Sequence, residues 1–218
     1  MRPVVEETPT RVLLISQPST PGQKPIPATE TETRGLKELM VKEHLEPLLL
    51  NDDAATITRV TEEMKTHSWI HFACHAVQGK KPLKSGIHLH DGRLELLEMM
   101  KHHIVHADHV FLSACQTGTG DVKLSDEVIH IAAGMLSIGY RGVVGTMWSI
   151  SDEEGPKIAE GFYQYILNAA PGRETGQKRL DSCWAARALD DSIQKTRDRL
   201  EDTQEALMIW VPYVHFGI

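Results

Sequence analysis

The chain has 218 residues, of which 41% are hydrophobic and 24% are charged, so it is long enough for one well-buried core and has an ordinary globular composition. Its formal net charge of -7 excludes a general electrostatic attraction for nucleic acid or for an anionic membrane. We therefore expect neither of these as a partner.

The three cysteines, Cys74, Cys115 and Cys183, fit neither a disulfide framework nor a CxxC metal site. An odd and low count of this kind is typical of a reducing compartment. The N-terminus has no apolar signal core, and no stretch of 18 apolar residues occurs in the chain. We therefore expect a cytoplasmic protein.

The first half of the chain alternates short apolar runs with helical patterns. We expect residues 1–10 to form a flexible N-terminal segment and residues 11–218 to form a single domain. Apolar runs at 11–16 and 69–76 predict strands that are buried on both faces. The pattern between them predicts a Pro-rich loop at 17–28, a helix from about Thr31, a short strand at 46–50, and a helix from 51–56 to about His67, capped by Asn or Asp.

The second half continues the same alternation. Asp91-Gly92 between two alternating segments predicts a hairpin, and a short helix follows it. The remaining pattern predicts strands at 108–115, 141–150 and 210–217 and helices at 125–140, 151–167 and 181–203, with a loop at 168–177. Ser125 is the expected cap of the first of these helices, and Gly139 lies near its end.

This order predicts an α/β fold with a mostly parallel central sheet and helices on both faces. In such folds the functional site lies outside the carboxyl ends of the strands. Of three central strands, one ends near His75, the next near Cys115, and the third near Trp148 and Asp152. We therefore expect these four side chains to share one edge of the sheet.

Cys115 and His75 have the residue types that nucleophilic catalysis needs, namely a thiol and a base that can activate it. Cys115 follows an apolar strand and precedes a Gly-rich turn in LSACQTGTGD. The alternative is structural, because a cysteine after such a strand is commonly a small buried hydrophobe, and a lone histidine is commonly a hydrogen-bonding group. Cys74 should point to the face opposite His75 and belong to the core. Cys183 has no obvious partner.

Long segments of the chain, taken in order, resemble a known family. WIHFACHA, SGIHLHDGRLELLEM, the stretch from VFLSACQTG to FYQYIL, and WVPYVHFG are similar to the CHAT domain, a caspase-like protease domain often found behind tetratricopeptide repeats. The match runs from about Val12 to Gly217. It implies a caspase-like three-layer α/β/α sandwich related to separases and, more distantly, to caspases and gingipains. The family's catalytic histidine falls on His75 and its nucleophile falls on Cys115.

The resemblance also implies an oxyanion site and a substrate pocket. The backbone N–H groups of Ala76 and Cys115 are the expected oxyanion donors. Many family members have glycine where this chain has Ala76, and alanine would fit poorly if the position required positive φ. Asp152, in MWSISDEEG, matches a separase aspartate that lines the pocket for a basic P1 side chain, and Trp148 is a candidate wall. The alternatives are helix capping by Ser151, Asp152 and Glu153, and a core role for Trp148.

A histidine cluster is the remaining candidate for chemistry. Its members are His88, His90, His102, His103, His106 and His109. No cysteine or carboxylate completes a convincing four-ligand set, so we expect no metal and no cofactor.

Our main hypothesis is therefore a cysteine endopeptidase with a His75–Cys115 dyad that cleaves a protein or peptide substrate after a basic P1 residue. The first alternative is a catalytically silent interaction module with the same fold. A metal-dependent hydrolase is the second. A regulatory tetratricopeptide-repeat region outside the chain is a possible partner, and loop 168–180 is a plausible processing site.

Overall fold

A computed structural model of the chain describes residues 10–77, 81–102, 104–113, 126–148, 150–170 and 178–218, with only the backbone of 126–128. The predicted flexible segment 1–10 (apart from Thr10), Cys115, the cap Ser125, His103 and most of loop 168–180 lie outside these residues. The strands are β1 Val12–Ser16, β2 Leu48–Asn51, β3 Trp69–Ala73, β4 Ala76–Val77, β5 Gly86–Leu89, β6 Gly92–Glu95, β7 His109–Leu112, β8 Gly142–Thr146 and β9 Tyr213–Gly217. The helices are α1 Ala28–Lys42, α2 Ile57–Met64, α3 Leu96–Met99, α4 Asp126–Ile138, α5 Glu154–Ala169, α6 Ala185–Arg199 and α7 Gln204–Trp210.

A six-stranded sheet forms the centre of the molecule, in the order β2-β1-β3-β7-β8-β9. Its first five strands are parallel, and β9 is antiparallel to β8, with Gly142 opposite Gly217 and Thr146 opposite Tyr213. The carboxyl ends of the five parallel strands therefore lie along one edge, where α/β folds carry their sites. A smaller antiparallel sheet, β4-β5-β6, follows β3.

The central sheet is packed on both faces, because alternate residues of each strand point to opposite sides. On one face Ile70 and Val110 pack with residues of α2, α4 and the small sheet. On the other face Trp69 and Phe111 pack with residues of α1, α5 and α6. The result is the α/β/α arrangement of layers that the sequence predicts, since strands buried on both faces read as continuous apolar runs.

Most predicted elements are confirmed, with shifts at their ends. The Asp91-Gly92 hairpin joins β5 to β6, and Gly139 ends α4 with a φ of 121°.

Two predictions were wrong in detail. The segment Asp52–Ala54 is a 3-10 turn, and the side chain of Thr56, not of Asn51, Asp52 or Asp53, caps α2 by accepting from the Arg59 N–H. The last strand begins at Tyr213, because residues 204–210 form the unpredicted helix α7.

Candidate active site

His75 lies two residues beyond the end of β3 and is almost completely buried. Its Nε2 lies 2.8 Å from the backbone carbonyl oxygen of Lys24, in the loop between β1 and α1. Because a carbonyl oxygen only accepts hydrogen bonds, Nε2 must carry the proton in this contact. The His75 carbonyl in turn accepts a 2.8 Å hydrogen bond from the His88 N–H. Burial first, and then the proximity of His75 and Arg93, lower the pKa of His88.

Ala76 follows His75 as the first residue of β4 and pairs with Ile87 of β5. The ladder hydrogen bond between residues 75 and 88 puts Ala76 and Ile87 in a non-hydrogen-bonded pair, whose N–H groups point away from each other. The Ala76 N–H is therefore directed to the outer edge of the small sheet. The described non-glycine residues with positive φ are His44 and Asp52, so Ala76 has a backbone conformation that alanine adopts readily.

A pocket of about 280 Å³, including its solvent-filled mouth, opens at the carboxyl edge of the central sheet. Residues from the β1–α1 loop, α1, the end of β7 and the segment before α5 line it: Ile26, Ala28, Thr29, Glu32, Ser113, Ile150, Ser151, Asp152 and Pro156. Ile26 is two residues beyond Lys24, whose carbonyl oxygen accepts from His75. Ser113 is the last described residue before Cys115. The pocket is thus built in part from the loop that contacts His75 and from the segment that leads to Cys115.

The closed end of the pocket contains a buried acid. Glu32 is 5% exposed, whereas Asp152 at the mouth is exposed. The Ser113 hydroxyl donates to Oε2 of Glu32 at 3.0 Å, and Oε1 of Glu32 lies 3.0 Å from Nε2 of His71 on β3. Burial first, and then the negative charge of Glu32, raise the pKa of the Tyr163 hydroxyl. The Tyr163 hydroxyl beside this acid therefore stays neutral.

Ser151, and not Asp152, caps helix α5. The Ser151 hydroxyl accepts from the N–H groups of Glu153 at 3.3 Å and Glu154 at 3.2 Å. The Asp152 side chain is therefore not needed for the helix start, and it stands at the pocket mouth. Of the three residues that the sequence offered as helix caps, Ser151, Asp152 and Glu153, the structure shows this role for Ser151.

The family model of the CHAT domain matches residues 2–218, which is essentially the whole chain. The chain belongs to the CHAT domain family. No curated protein sequence shows significant similarity to it.

Solved structures show which fold this CHAT domain has. It is similar to the Arg-specific cysteine proteinase gingipain R, with a TM-score of 0.57 and 10% identity over 95% of this chain and 46% of the gingipain chain. It is likewise similar to a complex of the pro- and mature domains of RgpB from Porphyromonas gingivalis, with a TM-score of 0.56 and 11% identity over 95% of this chain and 47% of that one. The CHAT domain therefore has the caspase-like cysteine protease fold, and it spans slightly less than half the length of either gingipain chain.

Trp148 is the one proposed pocket residue that is not among those lining this pocket. Its indole N–H donates to the Met208 carbonyl oxygen at 3.0 Å, which ties the end of β8 to α7. Within this CHAT domain the described contacts of Trp148 are therefore with a helix that the sequence pattern did not predict.

The two described cysteines of the CHAT domain are poor nucleophiles. Cys74 is buried in the core, as predicted, and burial followed by the charge of Glu32 raises the pKa of its thiol. Cys183 is exposed, and partial desolvation together with Asp181 raises the pKa of its thiol to about 11. A raised pKa lowers the fraction of reactive thiolate at neutral pH.

The histidine cluster was the remaining candidate for chemistry, and its member His103 lies outside the described residues. In the described part of the CHAT domain, no three or more His, Cys, Asp and Glu side chains come together as a metal site would require. Likewise, none of the helices found in these residues has the length and apolar character needed to cross a membrane.

Sequence reasoning missed three parts of this site: the Lys24 carbonyl, Ser113 and Glu32. A backbone carbonyl carries no sequence signal. Glu32 did carry a sequence signal, because it is four residues before Leu36 and eight before Met40, on the apolar face of α1. A charged residue on the apolar face of a helix needs a partner or a function, and this was the available clue.

Proposed function

We propose that this CHAT domain is a cysteine endopeptidase that cleaves a protein or peptide substrate after a basic P1 residue, with His75 and Cys115 as its catalytic pair. The observation that carries the proposal is the 2.8 Å hydrogen bond between His75 Nε2 and the Lys24 carbonyl oxygen. It orients the imidazole at the edge of the sheet where a pocket with two acids opens. The assignment of Cys115 rests on the family motif, since this residue lies outside the described part of the chain.

The Lys24 contact determines which nitrogen does the chemistry. With the proton on Nε2, the lone pair of the neutral imidazole is on Nδ1. Nδ1 accepts the proton of the Cys115 thiol, which gives a thiolate and an imidazolium. The Lys24 carbonyl oxygen stabilises the imidazolium, because it accepts a hydrogen bond from the charged ring.

The two chemical steps follow from this pair. The Cys115 thiolate attacks the scissile carbonyl carbon, and the N–H groups of Ala76 and Cys115 stabilise the oxyanion. As the C–N bond breaks, Nδ1–H protonates the leaving amine and a thioester forms. Water, deprotonated by Nδ1, then hydrolyses the thioester, which releases the carboxylic acid and restores the thiol.

Asp152 is the proposed acid at the mouth of the P1 pocket. It is exposed, lines the pocket and is not used as a helix cap. A carboxylate there pairs with a P1 arginine or lysine through charge-assisted hydrogen bonds.

The test is cleavage of fluorogenic peptides with Arg, Lys, Asp or Leu at P1, by the wild type and by Cys115→Ala in parallel. We expect the wild type alone to cleave the basic peptides. Cleavage of only the Asp or Leu peptides would agree with the His75–Cys115 dyad but would refute a pocket for a basic P1 side chain. Equal cleavage by Cys115→Ala would refute Cys115 as the nucleophile.

The reactivity of the Cys115 thiol distinguishes an enzyme from a catalytically silent interaction module. Alkylation with iodoacetamide at neutral pH, mapped by mass spectrometry, is expected to modify Cys115 well before Cys74 and Cys183, whose thiol pKa values are raised. Rapid alkylation without turnover would indicate an enzyme that lacks its activator, such as a tetratricopeptide-repeat region. Slow alkylation without turnover would favour the silent module.

A further inference from the structure

Two glutamates are buried in the described part of the chain, and their surroundings differ. Glu154, on α5, contacts Lys157 at 2.6 Å and Arg199 at 3.1 Å. Its charge is therefore balanced by two permanent cations. Glu32, on α1, has no lysine or arginine within ion-pair distance among the residues that the structure describes. Its partners there are the Ser113 hydroxyl and the His71 ring.

A buried carboxylate without a permanent cation is costly, because the low-dielectric interior replaces its hydration shell incompletely. The Ser113 hydroxyl satisfies only part of a group that has about four lone-pair sites, and Oε1 of Glu32 accepts no hydrogen bond from the described residues. His71 balances the charge only when it is protonated. Glu32 lines the pocket, so a cation bound in the pocket offers a different compensation.

The two acids of the pocket lie at different depths. Asp152 is exposed at the mouth, and Glu32 is buried with Ile26, Thr29 and Ser113 at the closed end. A long basic side chain that enters past Asp152 brings its cationic end group toward Glu32. Its aliphatic stem then packs on the apolar lining formed by Ile26, Ala28, Ile150 and Pro156.

We propose that Glu32 is the specificity-determining acid at the closed end of this pocket, and that it pairs with the guanidinium or ammonium group of the substrate's P1 side chain. This inference rests on the proposed function, and it assigns the main charge recognition to Glu32, with the exposed Asp152 contributing at the mouth. A guanidinium has five N–H donors in a fixed fork, so arginine can use the Ser113-bound carboxylate better than lysine can. The substrate class is therefore a polypeptide with arginine preferred at P1.

The test compares matched peptides with arginine or citrulline at P1, because citrulline keeps the shape of arginine and lacks its charge. Glu32→Gln is expected to lower kcat/KM for the arginine peptide by about tenfold to a hundredfold, the range for a hydrogen bond to a charged group. The same variant should change kcat/KM for the citrulline peptide by less than about threefold. Glu32→Asp, which keeps the charge, should retain most of the preference for arginine.

Glu154→Gln is the matched control, because it also removes a buried glutamate charge but does not line the pocket. We expect it to keep the wild-type ratio of arginine to citrulline cleavage. A purely structural role of Glu32 predicts equal losses on both peptides. An unchanged ratio in Glu32→Gln, or a wild type that does not discriminate the two peptides, would overturn the proposal.

A binding measurement decides the question without catalysis and uses the Cys115→Ala variant of this chain. Agmatine carries the guanidinium of arginine, and butylurea is its neutral counterpart. We expect agmatine, and not butylurea, to raise the melting temperature saturably, and Glu32→Gln in the same background to abolish the shift. Equal shifts with and without Glu32 would refute the proposal. If the wild type cleaves no peptide but agmatine binds through Glu32, the proposed activity fails while the pocket assignment stands.

Discussion

His109 on β7 is a buried histidine that the proposed chemistry does not use. Its ring lies 4.8 Å from that of Trp69 and 5.4 Å from that of Phe162, and the ring of His215 on β9 is 6.1 Å away. Burial, and secondarily His215, lower the pKa of His109 to about 3. This histidine is therefore neutral in the folded protein across the physiological range.

The lowered pKa predicts a loss of stability in acid. The unfolded chain binds a proton at His109 near the ordinary pKa of about 6.5, whereas the folded protein does so only near 3. The stability that neutral His109 contributes is therefore fully present above pH 6.5. It is lost as the pH drops toward 3, which lowers the free energy of unfolding by on the order of 4 kcal/mol. Urea denaturation between pH 7 and pH 4 should show a smaller decline for His109→Phe than for the wild type.

Ile70→Val provides the control for this experiment, since this fully buried residue does not titrate and its substitution should keep the wild-type pH dependence. A decline in His109→Phe as steep as in the wild type would show that other groups cause the acid sensitivity.

Single residues could be predicted from the sequence better than the pairs they form. The sequence placed His75 just beyond an apolar strand, where the structure has it, and its catalytic role stays a prediction. The alternation of strand side chains correctly assigned Cys74 to the core. The contact between Glu32 and Ser113 joins residues that are 81 positions apart. Such a contact depends on which helix covers which strand, and no local pattern encodes that choice.

At the scale of elements, the sequence offered two roles for the acidic segment before α5, namely helix capping and the lining of a pocket. In the structure, different residues have these roles. Ser151 accepts from two backbone N–H groups of the first turn, while the neighbouring Asp152 lines the pocket. Helix capping and pocket lining are thus divided between adjacent residues.

Because of this division, we expect one substitution to lower stability and the other to lower activity. Ser151→Ala leaves two N–H groups without their acceptor and should lower the free energy of unfolding by about 1 kcal/mol. Asp152→Asn should change stability by less than about 0.5 kcal/mol, as is usual at exposed positions, but lower kcat/KM on basic peptides. Urea denaturation and peptide cleavage on both variants check this. A stability loss in Asp152→Asn as large as in Ser151→Ala would contradict it.

The elements themselves were predictable where one strong signal dominated. Continuous apolar runs identified the central strands, and Asp-Gly identified the hairpin. Helix α7 was missed because it has only seven residues and a single buried residue, Ala206, so its pattern is too short to show a period. Thr56 was overlooked as a cap because three polar residues with equal capping ability precede it.

At the scale of the whole molecule, two hydrophobic cores share one sheet. Ile70 on β3 belongs to the core with α2 and α4, and Ile158 on α5 belongs to the core with α1 and α6. Because every central strand contributes side chains to both cores, we expect neither core to unfold alone.

Ile70→Val and Ile158→Val test this expectation, since both residues are fully buried. Each substitution should lower the free energy of unfolding by about 1 kcal/mol and move one common transition. Far-ultraviolet circular dichroism and tryptophan fluorescence should give the same midpoint in each variant. Two transitions, each shifted by only one of the substitutions, would show that the chain contains separable units.

The antiparallel strand β9 has a practical consequence for handling the protein. Because Gly217 is opposite Gly142, at the start of β8, the chain ends at the edge of the sheet where the parallel strands begin. Thr10 precedes β1 at that same edge. The pocket and His75 lie at the other edge. A surface tether attached after Ile218 therefore leaves the protein at the edge opposite the pocket, and immobilised protein should leave the proposed pocket accessible to peptides.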